Sequence, residues 1–256
     1  PSDTHKSLYL QALAQNGARM AADVQALALA LTARYQGASI ALVSFVRAGL
    51  PLGVLLRRAL VEMGRDARHY GISIIRDRGI DSVALEAIIK THGAENIVFV
   101  DGWTGKGAIS GQIRDSLAGD ARFPSEPRLV VLADPCGRAW LSASAEDWLI
   151  PSGILGATVS GLVSRSIWPT DPGLHGCVVY GHLAEHDVTQ AFIHSIETER
   201  AKLAPQASEQ PLTPARAQGL QYVALAPVGR TSVHFGECTS YLVHTGFPVA
   251  TLTLIR

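Results

Sequence analysis

At 256 residues, 47% hydrophobic and 17% charged, the chain is long enough for one generous α/β domain with a small appendage and too apolar for disorder. Lys plus Arg and Asp plus Glu both number 22, so no global field points to nucleic acid or a membrane surface, and any recognition of charge is local. No apolar run reaches the roughly 18 residues of a membrane span, and the scattered cysteines Cys136, Cys177 and Cys238 form neither a disulfide framework nor a paired zinc motif.

The opening PSDTHKSLYL lacks a basic segment leading into an apolar one, so no signal peptide is expected and the reducing cytoplasm is the expected compartment. From Met20 to Tyr35, Ala, Val and Leu recur at three and four spacing and predict an amphipathic helix that Gly37 stops. SIALVSF, 39–45, is a continuous apolar run of the length of a buried parallel strand. After the turn VRAGLPLG, VLLRRALVEMG predicts a helix ending at Gly64, and HYGISII predicts the next strand. DSVALEAIIKTHG supplies a helix with Asp81 as N-cap and Gly93 after its last turn, followed by the strand NIVFV. AISGQIRDSLAG predicts another helix and RLVVLAD a fourth strand. This alternation predicts an α/β fold, a mostly parallel twisted sheet with helices on both faces.

Beyond Asp134 the rhythm weakens. AEDWLIPSGILGATVSGLVSRSIWP is expected as a closely packed helix, HGCVVYGHL as a strand and DVTQAFIHSIETERAKL as a surface helix. Residues 1–203 are therefore assigned to the α/β domain and the polar, proline-bearing 204–218 to a linker or long loop. Residues 219–256, with the runs YVALAP and FPVATLTLI, form a C-terminal β-rich segment, either a hood over a site or a separate small module.

Chemistry concentrates at strand ends. In FVDGWTGKGAI, Asp101 closes a strand and Gly102, Gly105 and Gly107 follow before a helix opens at Ala108. Ligands of open α/β sheets bind beyond the carboxyl ends of the strands. Glycines let consecutive amides wrap an anion, and a helix start offers its positive end. A phosphate is the expected guest there, with Asp101 facing hydroxyls or a metal, so that the pair points to a sugar phosphate. The spacing fits neither a P-loop, which needs a longer loop and a hydroxyl where Gly107 stands, nor a G-x-G-x-x-G dinucleotide fingerprint. The plainer alternative is a βα turn whose glycines only ease packing.

A second loop, SFVRAGLPLG, places Arg47 beside Ala48 and Gly49, where a guanidinium and amides meet a second phosphate group. Charge-assisted hydrogen bonds contribute roughly 1.5–3 kcal/mol each, enough for an Arg and two or three amides to hold a diphosphate. An Arg snorkelling at a strand end is the alternative. Arg76 and Arg78, in IIRDRGID, extend the cationic strand ends, although each alone also fits a solvated surface.

With these residues the sequence resembles the type I phosphoribosyltransferases, whose signature strand ends in acids and closes on a Thr-Gly pair around the ribose 5-phosphate. Asp101 matches the first acid, Gly102 replaces the second, Lys106 stands where the threonine belongs and Gly107 matches the glycine. Either Lys106 supplies a cation to the phosphate, or Thr104-Gly105 takes the Thr-Gly role in a shortened loop. The uracil-specific branch shares a single acid and an Arg-Ala-Gly loop. More closely, SFVRAGLPLGVLLRRAL, HYGISIIRDRGID, FVDGWTGKGAI, VLADPCG and EDWLIPSGILGATVSGLVSRS resemble the phosphoribosyltransferase-like proteins of bacterial tellurium-resistance and stress operons, some labelled cysteine protease of the StiP family.

The resemblance implies a nucleotide-metabolism type of glycosyl transfer: Mg2+-bound diphosphate leaves C1 of phosphoribosyl diphosphate and a small-molecule acceptor attacks with inversion. It implies Arg47, Ala48 and Gly49 on the diphosphate, Asp101 on the ribose hydroxyls and the loop Thr104, Gly105, Lys106, Gly107 and Ala108 on the 5-phosphate. Arg76 and Arg78 then neutralise the leaving group, and Asp134 faces the acceptor or the metal, with Glu146 and Asp147 as further acids. Mg2+ comes with the substrate rather than in a protein metal site. Neither nucleic acid nor a membrane is expected as a partner, and a homodimer is left open.

Two rivals stand beside this reading. A thiol hydrolase would use Cys238, near His234 and His244, or Cys136 in DPCG. A non-catalytic sensor would bind the same phosphoribosyl ligand without turnover. A zinc site from His175, Cys177, His182, His186 and Asp187 lacks the H-E-x-x-H pattern, and exposed histidines are expected instead. Trp140, Trp148 and Trp168 are expected in the core.

Overall fold

β1 (Ile40–Phe45) is the hub of the sheet, and all six of its residues are buried, as a parallel strand covered on both faces requires. Successive side chains leave a strand on opposite sides. Ile40 and Leu42 accordingly enter one core, while Ala41, Val43 and Phe45 enter the other. The computed structural model describes residues 1–35, 38–75, 77–168 and 173–203. Arg76 and the linker and β-rich segment expected over 204–256, with Cys238, His234 and His244, lie outside the described residues.

β1 pairs on one side with β2 (Ala67–Ile72) and on the other with β5 (Ile97–Val100); β6 (Leu129–Ala133) and β7 (Leu141–Ser144) complete a five-stranded sheet in the order β2-β1-β5-β6-β7. Every pairing in it is parallel. The two-residue strands β3 (Ile74–Ile75) and β4 (Gly79–Ile80) form a separate antiparallel pair. One face carries α1 (Asp3–Arg34) and α2 (Leu50–Glu62), which pack on each other and on the sheet, with α5 (Thr189–Arg200) packed against both helices. The other carries α3 (Ser82–His92) and α4 (Ala108–Ser116), through Leu85, Ile88 and Ile113. The chain leaves β1 for β2 on one side and later returns to lay β5 against its other side, so the strand order reverses between β1 and β5.

The caps expected for α3 are present: Asp81 accepts from the Ala84 amide at 3.0 Å, and Gly93 follows with φ 79°. Several expectations are corrected. α1 begins at Asp3, not Met20, with the Ser2 hydroxyl accepting from the His5 amide at its start. Its first half is mostly polar and anchors through Tyr9 and Ala12, too few buried positions to make a visible period. β7, LSAS, is a half-buried edge strand too short and too polar to announce itself. The expected helix after Asp147 is two single 3-10 turns, Pro151–Gly153 and Ala157–Val159, because Pro151, Gly156 and Gly161 interrupt every helical run. HGCVVYGHL makes isolated bridges in place of a strand, Val163 with Val179 and Ile167 with Gly176, leaves Val179 67% exposed, and runs into a 3-10 helix, Gly181–His186. α5 is the expected surface helix, with Gln190, Ala191, His194 and Thr198 exposed and Phe192, Ile193 and Ile196 buried against α1 and α2. Trp148 is buried as expected, whereas Trp168 is exposed beneath the Arg78 guanidinium, 4.8 Å from its ring centre. No helix among the described residues is long and apolar enough to cross a membrane.

Glu146 serves this framework. It pairs with Arg19 of α1 at 2.8 Å, and Arg19 also donates to the Ser144 hydroxyl and lies over the Trp148 ring. Beside this clamp the Asp23 Oδ2 is buried with no hydrogen-bond partner among the described residues. Burial pushes its carboxyl up to about 7; Arg19 opposes the rise and Glu146 adds to it. A carboxyl raised in the folded state stabilises the fold when protonated, and that contribution is lost as pH rises through about 7. Asp23→Asn is therefore expected to raise the midpoint of urea unfolding at pH 8.5 by the equivalent of about 2–3 kcal/mol and to change it little at pH 4. Equal shifts at both pH values would exclude a buried, neutral Asp23.

Candidate functional site

The reversal of strand order between β1 and β5 brings the two glycine loops into contact. Gly49 is the point of closest approach. A Cβ built on it would stand 2.3 Å from the Val100 carbonyl oxygen and 3.0 Å from the Phe45 amide nitrogen, so only glycine lets the Arg47–Gly49 turn sit against β5. On the facing side, a Cβ on Gly102 would lie 3.4 Å from the Ala48 carbonyl. The Val46–Arg47 peptide bond is cis. Ala48 is exposed at the lip, Gly49 is buried and Arg47 is half-buried. Burial lowers the Arg47 pKa, the Arg165 guanidinium lowers it further, and Tyr180 opposes both.

Asp101 is 7% exposed at the end of β5 and accepts from its neighbour's amide, Gly102, at 2.8 Å. Burial pushes its carboxyl up to about 7 against that one hydrogen bond. The β5–β6 ladder runs on into the loop: the Leu132 amide donates to Gly102 and the Thr104 amide to Ala133. The loop base is thereby fixed as firmly as a strand. Trp103 folds under it, packed on Gly105, and its indole N–H donates to Asp147 at 3.1 Å. Thr104 is buried, its hydroxyl 3.4 Å from the Cys136 sulfur. Gly107 takes the left-handed conformation, φ 77°, that turns the chain into α4, and it offers no side chain to cap the first amides of that helix. Lys106 is half-buried between the two glycines, and Ala108 is exposed at the helix start.

The remaining candidates separate. Asp134 is 1% exposed, and its two oxygens accept from the Cys136 thiol at 3.3 Å and the Ala139 amide at 2.6 Å, so it braces the 134–139 turn from inside. Cys136 is buried, and burial, first among its causes, pushes its thiol up to about 12. The same turn carries a cation that the motifs did not single out. A Cβ on Gly107 would come within 2.9 Å of Arg138 Cγ, which lays the Arg138 stem along the loop. Its only sequence signal is its place two residues after the cysteine of DPCG. Arg78 is exposed over Trp168. His175 donates its amide to Asp81 and shares a 2.8 Å hydrogen bond with Ser73, which ties the chain at His175 to the β3–β4 corner. Cys177 and His182 are exposed, and among the described residues no three His, Cys, Asp or Glu side chains are grouped to hold a metal ion.

A curated relative, "Cysteine protease StiP" of Acinetobacter baylyi, is 52% identical over 221 residues, which cover 81% of this chain and 57% of the relative. The chain thus spans little more than half the length of that protein. Among solved structures, a mutant hypoxanthine phosphoribosyltransferase of Trypanosoma cruzi with its product IMP aligns over 47% of this chain and 64% of its own, at 16% identity and TM-score 0.34. An alanine mutant of an invariant aspartic acid in hypoxanthine phosphoribosyltransferases aligns over 50% of this chain and 77% of its own, at 13% identity and TM-score 0.36. Neither likeness bears on the chemistry of the cleft. The family described as "Tellurite-like stress resistance cysteine protease StiP" matches residues 1–197, and with that match the chain belongs to the StiP family.

Proposed function

We propose that the cleft between the β1 and β5 loops binds phosphoribosyl diphosphate and transfers its 5-phosphoribosyl group to a small-molecule acceptor, within a stress- or tellurium-linked pathway. One observation carries this reading: both loops meet at the reversal of strand order, the place where open α/β sheets bind ligands. In this reading Asp101 accepts from the ribose hydroxyls, and the amides from Gly105 to Ala108, with Lys106 and Arg138, take the 5-phosphate. Arg47 and the exposed Ala48 edge take the diphosphate. Mg2+ enters with the substrate. It needs only one or two protein carboxylates beside phosphate oxygens, which fits a cleft whose one strand-end acid is Asp101. The protein's share of catalysis is positioning and neutralisation of the departing charge.

A cysteine-dependent hydrolase is the second reading, and the names of the family and of the relative support it more directly than they support phosphoribosyl transfer. Within the described residues its candidate nucleophile is Cys136, whose thiol stands between Thr104 and Asp134. A thiol held protonated beside a carboxylate is a poor resting nucleophile, so this reading needs a base to reach it. Titration calorimetry with phosphoribosyl diphosphate and Mg2+, with casein cleavage followed in parallel before and after alkylation, separates the two. Binding of phosphoribosyl diphosphate that survives alkylation is the expected result. Casein cleavage abolished by alkylation, with no phosphoribosyl diphosphate bound, would replace the transfer reading with the hydrolase.

A further inference from the structure

Trp103 opens the glycine loop and folds back beneath it. Its backbone is bridged in parallel to Ala133, and the next amide, Thr104, donates to the Ala133 carbonyl at 3.0 Å, so the start of the loop is fixed. The far end is fixed by α4, where the Gly107 carbonyl accepts from the Gly111 amide at 2.9 Å and from the Ser110 hydroxyl at 3.1 Å. Between these ends Gly105 is buried on the Trp103 indole, and a Cβ there would overlap the ring at Cζ2 and Cη2. The ring is the floor on which the middle of the loop rests.

The indole is in turn held from the segment after β7. Its N–H donates to Asp147 Oδ1 at 3.1 Å, and Asp147 stands in a short stretch fastened to α1 on both flanks. Before it, Glu146 pairs with Arg19 at 2.8 Å; after it, Trp148 lies under the Arg19 guanidinium and the Leu149 carbonyl accepts from Asn16 at 3.0 Å. A path of contacts therefore runs from a framework helix through Asp147 and Trp103 to the centre of the glycine loop. A hydrogen bond to a carboxylate is stronger than one between neutral groups, and amides set in place before a ligand arrives bind it at lower cost in lost freedom. We propose that Asp147 and Trp103 are positioning residues: Asp147 aims the indole, and the indole sets the height of Gly105 and with it the amides from Gly105 to Ala108. In this role Asp147 is an acceptor for the indole and not an acid facing acceptor or metal. That the guest of the loop is a ribose phosphate rests on the phosphoribosyl reading above; the positioning rests on the contacts alone.

The test uses the full chain as wild type, Asp147→Ala, Asp147→Asn, Trp103→Phe and the Asp147→Ala, Trp103→Phe double variant. Nitrogen NMR relaxation of the Gly105 and Gly107 amides reads the loop with no ligand present, calorimetry with ribose 5-phosphate reads the site, and urea unfolding checks that each variant is folded. Asp147→Ala is expected to lower the order parameters of both amides from about 0.85 to below about 0.6 and to weaken ribose 5-phosphate roughly 10-fold. Asp147→Asn keeps an oxygen for the indole and should stay within about 3-fold of wild type. Trp103→Phe should match Asp147→Ala, and the double variant should be little worse than either, since both substitutions break one link. Should Asp147→Ala not fold, Trp103→Phe carries the same expectation from the other end of that link. A loop already flexible in wild type, a loop as rigid in Asp147→Ala as in wild type, or an Asp147→Asn as damaging as Asp147→Ala would overturn the assignment. So would a loosened loop that binds ribose 5-phosphate undiminished. If the loop loosens as expected while wild type does not bind ribose 5-phosphate at all, the positioning stands and the phosphoribosyl reading falls.

Discussion

Asp101→Asn is expected to stabilise the protein and to disable its cleft at the same time. The carboxyl is buried at a strand end with one amide to offset its loss of water, and it is pushed up to about 7 from an ordinary 3.8. A folded-state value above the unfolded one means that the protonated form favours folding. That contribution is complete below the unfolded value and is lost as pH rises through about 7. A rise of this size costs the ionised, folded protein about 3–4 kcal/mol at pH 8.5, and an isosteric amide removes the penalty while keeping the oxygen that accepts from Gly102. Ligand binding should move the other way. A carboxylate accepts from both ribose hydroxyls, whereas an amide presents one acceptor and one donor, so affinity for phosphoribosyl diphosphate should fall roughly 10- to 100-fold. Urea unfolding at pH 5 and 8.5, paired with calorimetry, reads both halves. A variant that is no more stable at pH 8.5 would refute the raised carboxyl; one that binds as well as wild type would remove Asp101 from the site.

What the sequence made legible follows from how local each signal is. The buried run of β1, the caps of α3 and the glycine loop before α4 are written in consecutive residues, and all three stand where the pattern put them. The two loops were legible as a pair because each closes a strand with glycines beside a charged residue. Their contact through Gly49 was not, since it depends on which strands become neighbours. Asp134 shows the limit from the other side. A strand-end acid in sequence reads the same whether it faces a cleft or turns inward, and here the Ala139 amide and the Cys136 thiol capture it. Arg138 carries no motif; the turn after β6 brings it to Gly107 from thirty-one residues away in sequence. Trp168 shows a related limit: an aromatic in a weakly patterned stretch gives no clue that an arginine covers its face.

Gly49→Ala is expected to be the most damaging single methyl in the described residues. The backbone there has φ −75° and ψ −18°, which any residue adopts, so the obstacle is wholly steric. The added carbon would meet the Val100 carbonyl at 2.3 Å and the Phe45 amide at 3.0 Å, and both belong to central strands whose register, Ser44 opposite Val100, is fixed by pairing. Neither atom can retreat without opening the β1–β5 ladder, so the cost should reach or exceed about 3 kcal/mol, the upper end for overpacking. Gly111 supplies the control. It lies within α4, and a Cβ there would meet nothing within 4 Å, so Gly111→Ala should gain about 0.5–1 kcal/mol from helix propensity alone and leave binding intact. Chemical denaturation ranks the two variants, and calorimetry with phosphoribosyl diphosphate then asks what Gly49 does for the cleft. Wedging the loops apart moves the Ala48 carbonyl away from Gly102 and opens the cleft between them, so binding should be lost even under conditions where Gly49→Ala remains folded. If that variant is destabilised yet binds normally, the ligand does not lie between these two loops, and the site must be sought elsewhere on the sheet.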